Sequence, residues 1–326
     1  MFVDLPETEL REYRSTQLDP DDFDAFWAST LAESRAAAPA GARLERVDAG
    51  LRTLDVFDVT FPGFGGQPIR AWLRTPRGAS GALPTVVQFQ GYGGGRGRPT
   101  ENLLYASAGF AHLHVDTRGQ GAGWSIGDTP DEGVTGPQIP GVMTRGIDSR
   151  ESYYYRRLFT DAVRAIDAAR TLDVVDPERI AVTGGSQGGG ITLAVAGLVE
   201  GLAAVLPQVP FLCDFPRALT IHDTDPYHEL VRYLAQHRTK VAHVAQTLAY
   251  FDGVNFARRA SAPAWFTVAL MDEVCKPSTV FGAFNAYAGP KHIEVFPFNG
   301  HEGGAAQTDA DNIRILHEVF EDADVA

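Results

Sequence analysis

Apolar and polar positions alternate along Leu54–Phe61 ("LDVFDVTF") and again along Ile69–Pro76 ("IRAWLRTP"), with "PGFGGQP" between the two runs. A period of two marks half-buried strands, and a connection rich in glycine and proline marks a turn, so these runs predict an antiparallel hairpin. The pattern then changes. Short, nearly continuous apolar runs follow at 83–90 ("LPTVVQFQ"), 110–116 ("FAHLHVD"), 179–184 ("RIAVTG"), 203–211 ("AAVLPQVPF"), 264–270 ("AWFTVAL") and 292–298 ("HIEVFPF"). Helical periods separate them, in "LLYASAG" closed by Gly109, "YYYRRLFTDAVRAIDAARTL" and "GGGITLAVAGL", between the last two runs, and again at the end of the chain. Strands buried on both faces and alternating with helices predict an α/β fold with a mostly parallel central sheet.

Around this frame sit three less regular parts. Residues 1–40 read as a helical extension, in which Asp19-Pro-Asp-Asp supplies a start signal for Phe23, Phe26, Trp27 and Leu31 at helical spacing. Residues 119–148 form a long polar segment rich in glycine and proline. Residues 208–258 are polar and helical in pattern, which places a helical insertion or lid over the carboxyl edge of the sheet. No period of 20 to 50 residues repeats, so the expectation is one domain over 1–326 with decorations.

Composition narrows the partners. A net charge of −13 disfavours nucleic acid and anionic membranes, both of which call for a basic face. The longest apolar stretch, Gly190–Leu212, is broken by Glu200, three glycines and two prolines, so it is no membrane span. The two cysteines, Cys213 and Cys275, form neither a disulfide framework nor a C-x-x-C site. The first residues, "MFVDLPETELREYR", lack the basic and apolar regions of a signal peptide. Together these features lead us to expect a cytoplasmic protein.

One short stretch carries chemistry: "VTGGSQGGGI", residues 182–191. It lacks the lysine of a phosphate-binding loop, and Ser186 stands where a dinucleotide fingerprint requires its second glycine. Gly184-Gly-Ser-Gln-Gly188 does satisfy G-x-S-x-G, between a strand and a helix, which is the nucleophile elbow of α/β-hydrolases. A glycine two residues to either side of Ser186 removes side chains that would collide with neighbouring elements. A serine hydroxyl needs a base, and the base an orienting acid, here in the order serine, acid, histidine. His112 and His114 precede the serine, while His222, His228, His237 and His243 fall in the insertion and His292 opens a strand. His301, in the loop "FNGHEGG" after the last strand, suits the base. Asp272, directly after "AWFTVAL", suits the acid, with Asp252 and Asp214 as alternatives. The backbone N–H groups of Gln187 and of Tyr92, in the turn after "TVVQFQ", suit an oxyanion hole.

Arg118-Gly-Gln-Gly121, Gly184-Gly-Ser-Gln-Gly188 and His301-Glu302, in this order, resemble the acetyl xylan esterase and cephalosporin C deacetylase family of carbohydrate esterases (family 7). "DPDDFDAFW", "QGYGG" and "MDEVCKPSTVFGAFNAY" extend the resemblance over nearly the whole chain. The resemblance implies a serine carboxylesterase of the α/β-hydrolase fold that removes acetyl groups from small-molecule esters, acetylated sugars and cephalosporin C. It implies Ser186, Asp272 and His301 as the catalytic residues, with Arg118 and Gln120 bracing the elbow. It also implies no metal or organic cofactor and a homo-oligomer, a hexamer. Two positions depart from the family pattern: Gln90 replaces a histidine and Lys276 a proline. The same residues could serve a peptidase, a lactonase or an acyltransferase, and the fold could also serve a non-catalytic binding protein.

Overall fold

The computed structural model describes residues 2–133 and 141–322. Part of the polar segment 119–148, residues 134–140, therefore lies outside the described residues. Helices α1 (Glu7–Glu12) and α2 (Phe23–Ala37) open the chain. The start signal before α2 works differently from expectation. The Asp22 carboxylate makes no cap bond; it binds the Arg150 guanidinium at 2.7 Å and accepts from the Tyr250 hydroxyl, tying the helix start to distant segments.

Nine strands form one sheet: β1 (Arg43–Val47), β2 (Leu54–Pro62), β3 (Pro68–Pro76), β4 (Leu83–Phe89), β5 (Ala111–Val115), β6 (Val175–Gly185), β7 (Ala204–Gln208), β8 (Ala264–Ala269) and β9 (Lys291–Phe296). Their spatial order is β1-β2-β3-β5-β4-β6-β7-β8-β9. The hairpin β2–β3 is antiparallel as expected, and from β5 to β9 all pairs are parallel. The sheet does not begin at that hairpin, however. Arg43–Val47 pairs antiparallel to β2 and forms the edge. Its sequence, "RLERV", is too exposed and too short to carry a legible alternation, and its place is set by cross-strand pairing.

Adjacent residues of the inner strands face opposite layers. Val86, Ala181 and Ala204 pack under α3 (Leu104–Ser107) and α11 (Ala306–Asp322) with Tyr105, Leu316 and Phe320. Val87, Val182 and Val205 join the larger core with α4 (Tyr154–Ala169) and α5 (Gln187–Leu198). The segment expected as an insertion supplies α6 (Phe215–Ile221), α7 (Tyr227–Gln236), α8 (Val241–Ala249) and α9 (Gly253–Ala257), and α10 (Pro277–Ala286) follows β8. No described helix is long and apolar enough to cross a membrane.

The strand order positions the site. The chain leaves β4 to one side for β5, then crosses back through α4 to place β6 on the other side of β4. Loops leaving β4 and β6 at their carboxyl ends therefore diverge, and such a switch point leaves a crevice where ligands bind.

The helical extension is built into the core by Trp27, 1% exposed, whose ring meets Phe159, Phe251 and Phe256 and whose indole N–H donates to the Tyr250 carbonyl at 3.0 Å. Trp27→Ala is expected to cost about 3–5 kcal/mol in urea denaturation. A loss under about 1 kcal/mol would mean that the extension is peripheral to the fold.

Candidate active site

Ser186 lies between β6 and α5, at the helix cap, with φ 56° and ψ −120°, a conformation that side-chain-bearing residues rarely adopt. The neighbouring backbone holds it there. The Ser186 N–H donates to the Gln208 carbonyl at 2.9 Å, and its carbonyl accepts from the N–H groups of Gly190 and Phe211. The glycines allow this close packing. A Cβ at Gly184 would lie 2.5 Å from the Gly188 carbonyl carbon, and one at Gly188 would lie 2.3 Å from the Phe89 oxygen.

Asp272 is fully buried after β8. Its Oδ1 accepts the N–H groups of Val274 and Cys275 at 2.8 and 2.9 Å, which leaves Oδ2 for His301 Nδ1 at 2.9 Å. That bond fixes the tautomer that leaves Nε2 as acceptor. Ser186 and His301 together line two cavities, one of about 360 Å³ with Gly91, Tyr92, Trp124 and Val274, the other of about 170 Å³ with Gln208, Thr267 and Thr308. No hydrogen bond among the described residues joins the Ser186 hydroxyl to His301, whose Nδ1 is held by Asp272. Serine–histidine bonds of this type often tighten only around substrate.

The alternative acids lie elsewhere. The Asp252 carboxylate accepts the N–H groups of Asp214, Phe215 and Val254, and Asp214 accepts from the Tyr13 hydroxyl. The other histidines are likewise engaged away from Ser186: His114 with Gln90, His112 with Gln88, His243 with the Asp148 carbonyl, His292 against Trp265.

Tyr92 and Gln187, chosen for their backbone, each keep an N–H with no acceptor among the described residues. Their side chains have work of their own. Gln187 is fully buried; its amide donates to the Gln90 carbonyl at 3.3 Å and accepts from Gln120 and Tyr155. Gln120 in turn accepts the Gly93 N–H at 2.6 Å, so one side chain joins the β4 loop to the elbow helix. Arg118 acts one layer deeper. It forms a paired bond to Asp161 on α4 and a further bond to Gln67, and its carbonyl accepts from Tyr154, which also meets Gln120.

Sequence reading missed Glu229. This α7 residue, 4% exposed, accepts from the Tyr92 hydroxyl at 2.7 Å and from the Met143 N–H at 3.2 Å, while the Tyr92 hydroxyl accepts from Val142 N–H. Burial raises the Glu229 pKa above the usual carboxylate value, and the two donors oppose the shift. The Tyr92 ring is thus latched to α7 as well as lining the larger cavity. No local pattern marks a glutamate 137 positions from its partner. Lys276, expected as a departure toward lysine from proline, uses an N–H that proline would lack to donate to His222 Nε2 at 3.2 Å.

Asp272, Cys275 and His301 offer three donor atoms within 4.8 Å of one another. They fit a metal poorly. Their donor atoms are already engaged: Asp272 Oδ1 accepts the Val274 and Cys275 N–H groups, and Asp272 Oδ2 binds His301 Nδ1.

A mostly parallel sheet with a serine elbow at its switch point and an acid–histidine pair beside it defines an α/β-hydrolase-fold protein. Within that class the chain belongs to the acetyl xylan esterase (AXE1) family, a family of carboxylic ester hydrolases, whose sequence profile matches residues 1–318. The solved acetyl xylan esterase from Paenibacillus sp. R4 is 39% identical, with a TM-score of 0.91 over 96% of this chain and 99% of that one. Acetyl xylan esterase 1 from Thermoanaerobacterium sp. JW/SL YS485 is 32% identical, with a TM-score of 0.88 over 97% and 99%. Acetyl esterase Axe7A of Xylanibacter ruminicola is 31% identical over 287 residues, 87% of this chain, and the chain spans 64% of that protein's length.

Two substitutions test the packing at the site. Gly188→Ala must push against the Phe89 carbonyl and is expected to cost about 1–3 kcal/mol or more, read as a lowered Tm. Gly185→Ala, whose Cβ would meet only the Gln208 Oε1 at 3.9 Å, is the tolerated control. Glu229→Ala leaves the Tyr92 hydroxyl and Met143 N–H without their acceptor and is expected to cost about 1–3 kcal/mol in urea denaturation. Glu229→Gln keeps one acceptor and should cost less; equal costs would mean that the Tyr92 bond does not hold the loop.

Proposed function

We propose that this protein is a serine carboxylesterase that removes acetyl and other small acyl groups from hydroxylated compounds such as acetylated xylo-oligosaccharides. The observation that supports it best is the 2.9 Å bond from His301 Nδ1 to buried Asp272, with the same histidine sharing two cavities with the elbow serine. In this reading Ser186 Oγ attacks the ester carbonyl while His301 Nε2 takes its proton. Asp272 holds the imidazole in its tautomer and stabilises the imidazolium. The tetrahedral oxyanion is held by the N–H groups of Tyr92 and Gln187, which have no acceptor among the described residues, the latter opening α5 where helix N–H groups favour negative charge. Collapse returns the proton from His301 to the leaving alcohol and leaves the acyl group on Ser186. Water, deprotonated by His301, then attacks the acyl carbonyl; collapse of this second tetrahedral intermediate breaks the bond to Ser186, returns the proton from His301 to Oγ and releases the carboxylic acid.

Gln120 and Gln187 are positioning residues in this scheme, because they join the two loops that supply the N–H groups. Cephalosporin C, as a second acetate ester, belongs to the same proposal. So do a single domain over the chain and assembly as a hexamer, which sedimentation should report as six times the 35.2 kDa chain mass.

The test is hydrolysis of p-nitrophenyl acetate and of acetylated xylo-oligosaccharides. Ser186→Ala is expected to lower kcat by about 10⁶-fold and Asp272→Asn by about 10⁴-fold, the scale of triad disruptions elsewhere. A Ser186→Ala protein that keeps esterase activity within tenfold would overturn the assignment.

A further inference from the structure

The backbone that holds Ser186 in place is itself strained. After β7 the chain passes through Val209, Leu212 and Asp214 at φ 35°, 63° and 52°, three side-chain-bearing residues in the left-handed region. This turn carries the bonds that fix the serine: the Gln208 carbonyl accepts the Ser186 N–H, and the Phe211 N–H donates to the Ser186 carbonyl. Strain of this kind gathers at functional sites, where the surroundings over-determine it. Here it sets the place of one polar side chain. Gln208 ends β7 opposite Gly185, its Oε1 lies 3.9 Å from where a Gly185 Cβ would stand, and it lines the smaller cavity with Ser186 and His301. The Gln208 amide makes no hydrogen bond among the described residues. The Thr267 hydroxyl on the same wall accepts from the Val209 N–H at 3.2 Å and keeps its own proton to donate. Glu302, the other acceptor there, is exposed and spends one oxygen on the Asn299 amide and the Gly300 N–H.

We propose that Gln208 is a positioning residue for deacylation, its amide oxygen accepting one O–H of the water whose other O–H is directed at His301 Nε2. The inference rests on the esterase reading and concerns the second half of that reaction. The cavity, at about 170 Å³, has room for roughly five water molecules at about 30 Å³ each. A water molecule held by one proton still turns about that bond. Held by both, on His301 and on Gln208, it keeps a lone pair facing the acyl carbon. His301 takes the first proton as the oxygen adds to the carbonyl. The second stays on that oxygen and leaves with the carboxylic acid, while the proton on His301 returns to Ser186. An alcohol has a single O–H, which His301 uses, and a carbon where water has its second proton. It gains nothing from Gln208, so the side chain favours water over alcohols as the acyl acceptor.

The experiment is turnover of p-nitrophenyl acetate at a fixed methanol concentration, reading the ratio of methyl acetate to acetate formed. One acyl-enzyme divides between two acceptors, so the ratio does not depend on how much of a variant folds. Gln208→Met and Gln208→Leu remove the acceptor and are expected to raise the ratio about tenfold, the factor of one ordinary hydrogen bond. Gln208→Glu keeps an acceptor and is expected to stay closer to the native ratio than either. In all three, kcat/KM per folded chain, which reports acylation, is expected to stay within about twofold of native. A ratio unchanged in both Met and Leu variants overturns the proposal, as does a fall in kcat/KM without a change in ratio, the mark of a structural role. A Glu variant that matches Met and Leu overturns the acceptor role. A native chain that hydrolyses no ester overturns the esterase reading and this proposal with it, whereas an active native chain whose ratio ignores Gln208 overturns the proposal alone.

Discussion

Everything at this site depends on how closely α5 approaches the end of β4. Gly188 lies so near the Phe89 carbonyl that a single methyl group would stand 2.3 Å from it. The same approach lets the Gln187 side chain reach the Gln90 carbonyl and Gln120. The strained backbone of Ser186 persists because the surrounding bonds from Gln208, Gly190 and Phe211 over-determine it. Loosening the contact would disturb the Ser186 turn and the Gln187 and Gln120 bonds together.

Support for that contact is layered outward. Gln120 clamps the β4 loop to the elbow, Tyr154 holds Gln120, and Arg118 holds Tyr154 through its carbonyl while bracing α4 through Asp161. From the other direction Glu229 of α7 holds the Tyr92 ring. The helices between β7 and β8 therefore take part in shaping the crevice, and are more than a cover laid over it.

Much of this was legible in the sequence, for physical reasons. The inner strands are apolar on both faces, so they stand out as runs, and the elbow glycines are demanded by sterics that act within four residues. The pairing of Asp272 with His301 was legible because chain order and strand ends restrict which carboxylate and histidine can meet there. The edge strand Arg43–Val47 was not, since pairing alone defines it. Neither was Glu229, because its meaning arises from neighbours far away in the chain. Arg118 and Gln120 were both expected to brace the elbow; Arg118 bonds Asp161 on α4, and Gln120 bonds Gln187 at the start of α5.

The central claim is that the reactive nucleophile is Ser186. The most direct measurement is covalent labelling with a serine-directed phosphonate, followed by peptide mass mapping and residual esterase assay. The account predicts one phosphonyl group per chain, located on Ser186, formed in step with the loss of activity and prevented by prior acyl-substrate binding. Stoichiometric labelling at another serine, or full activity with Ser186 modified, would contradict it.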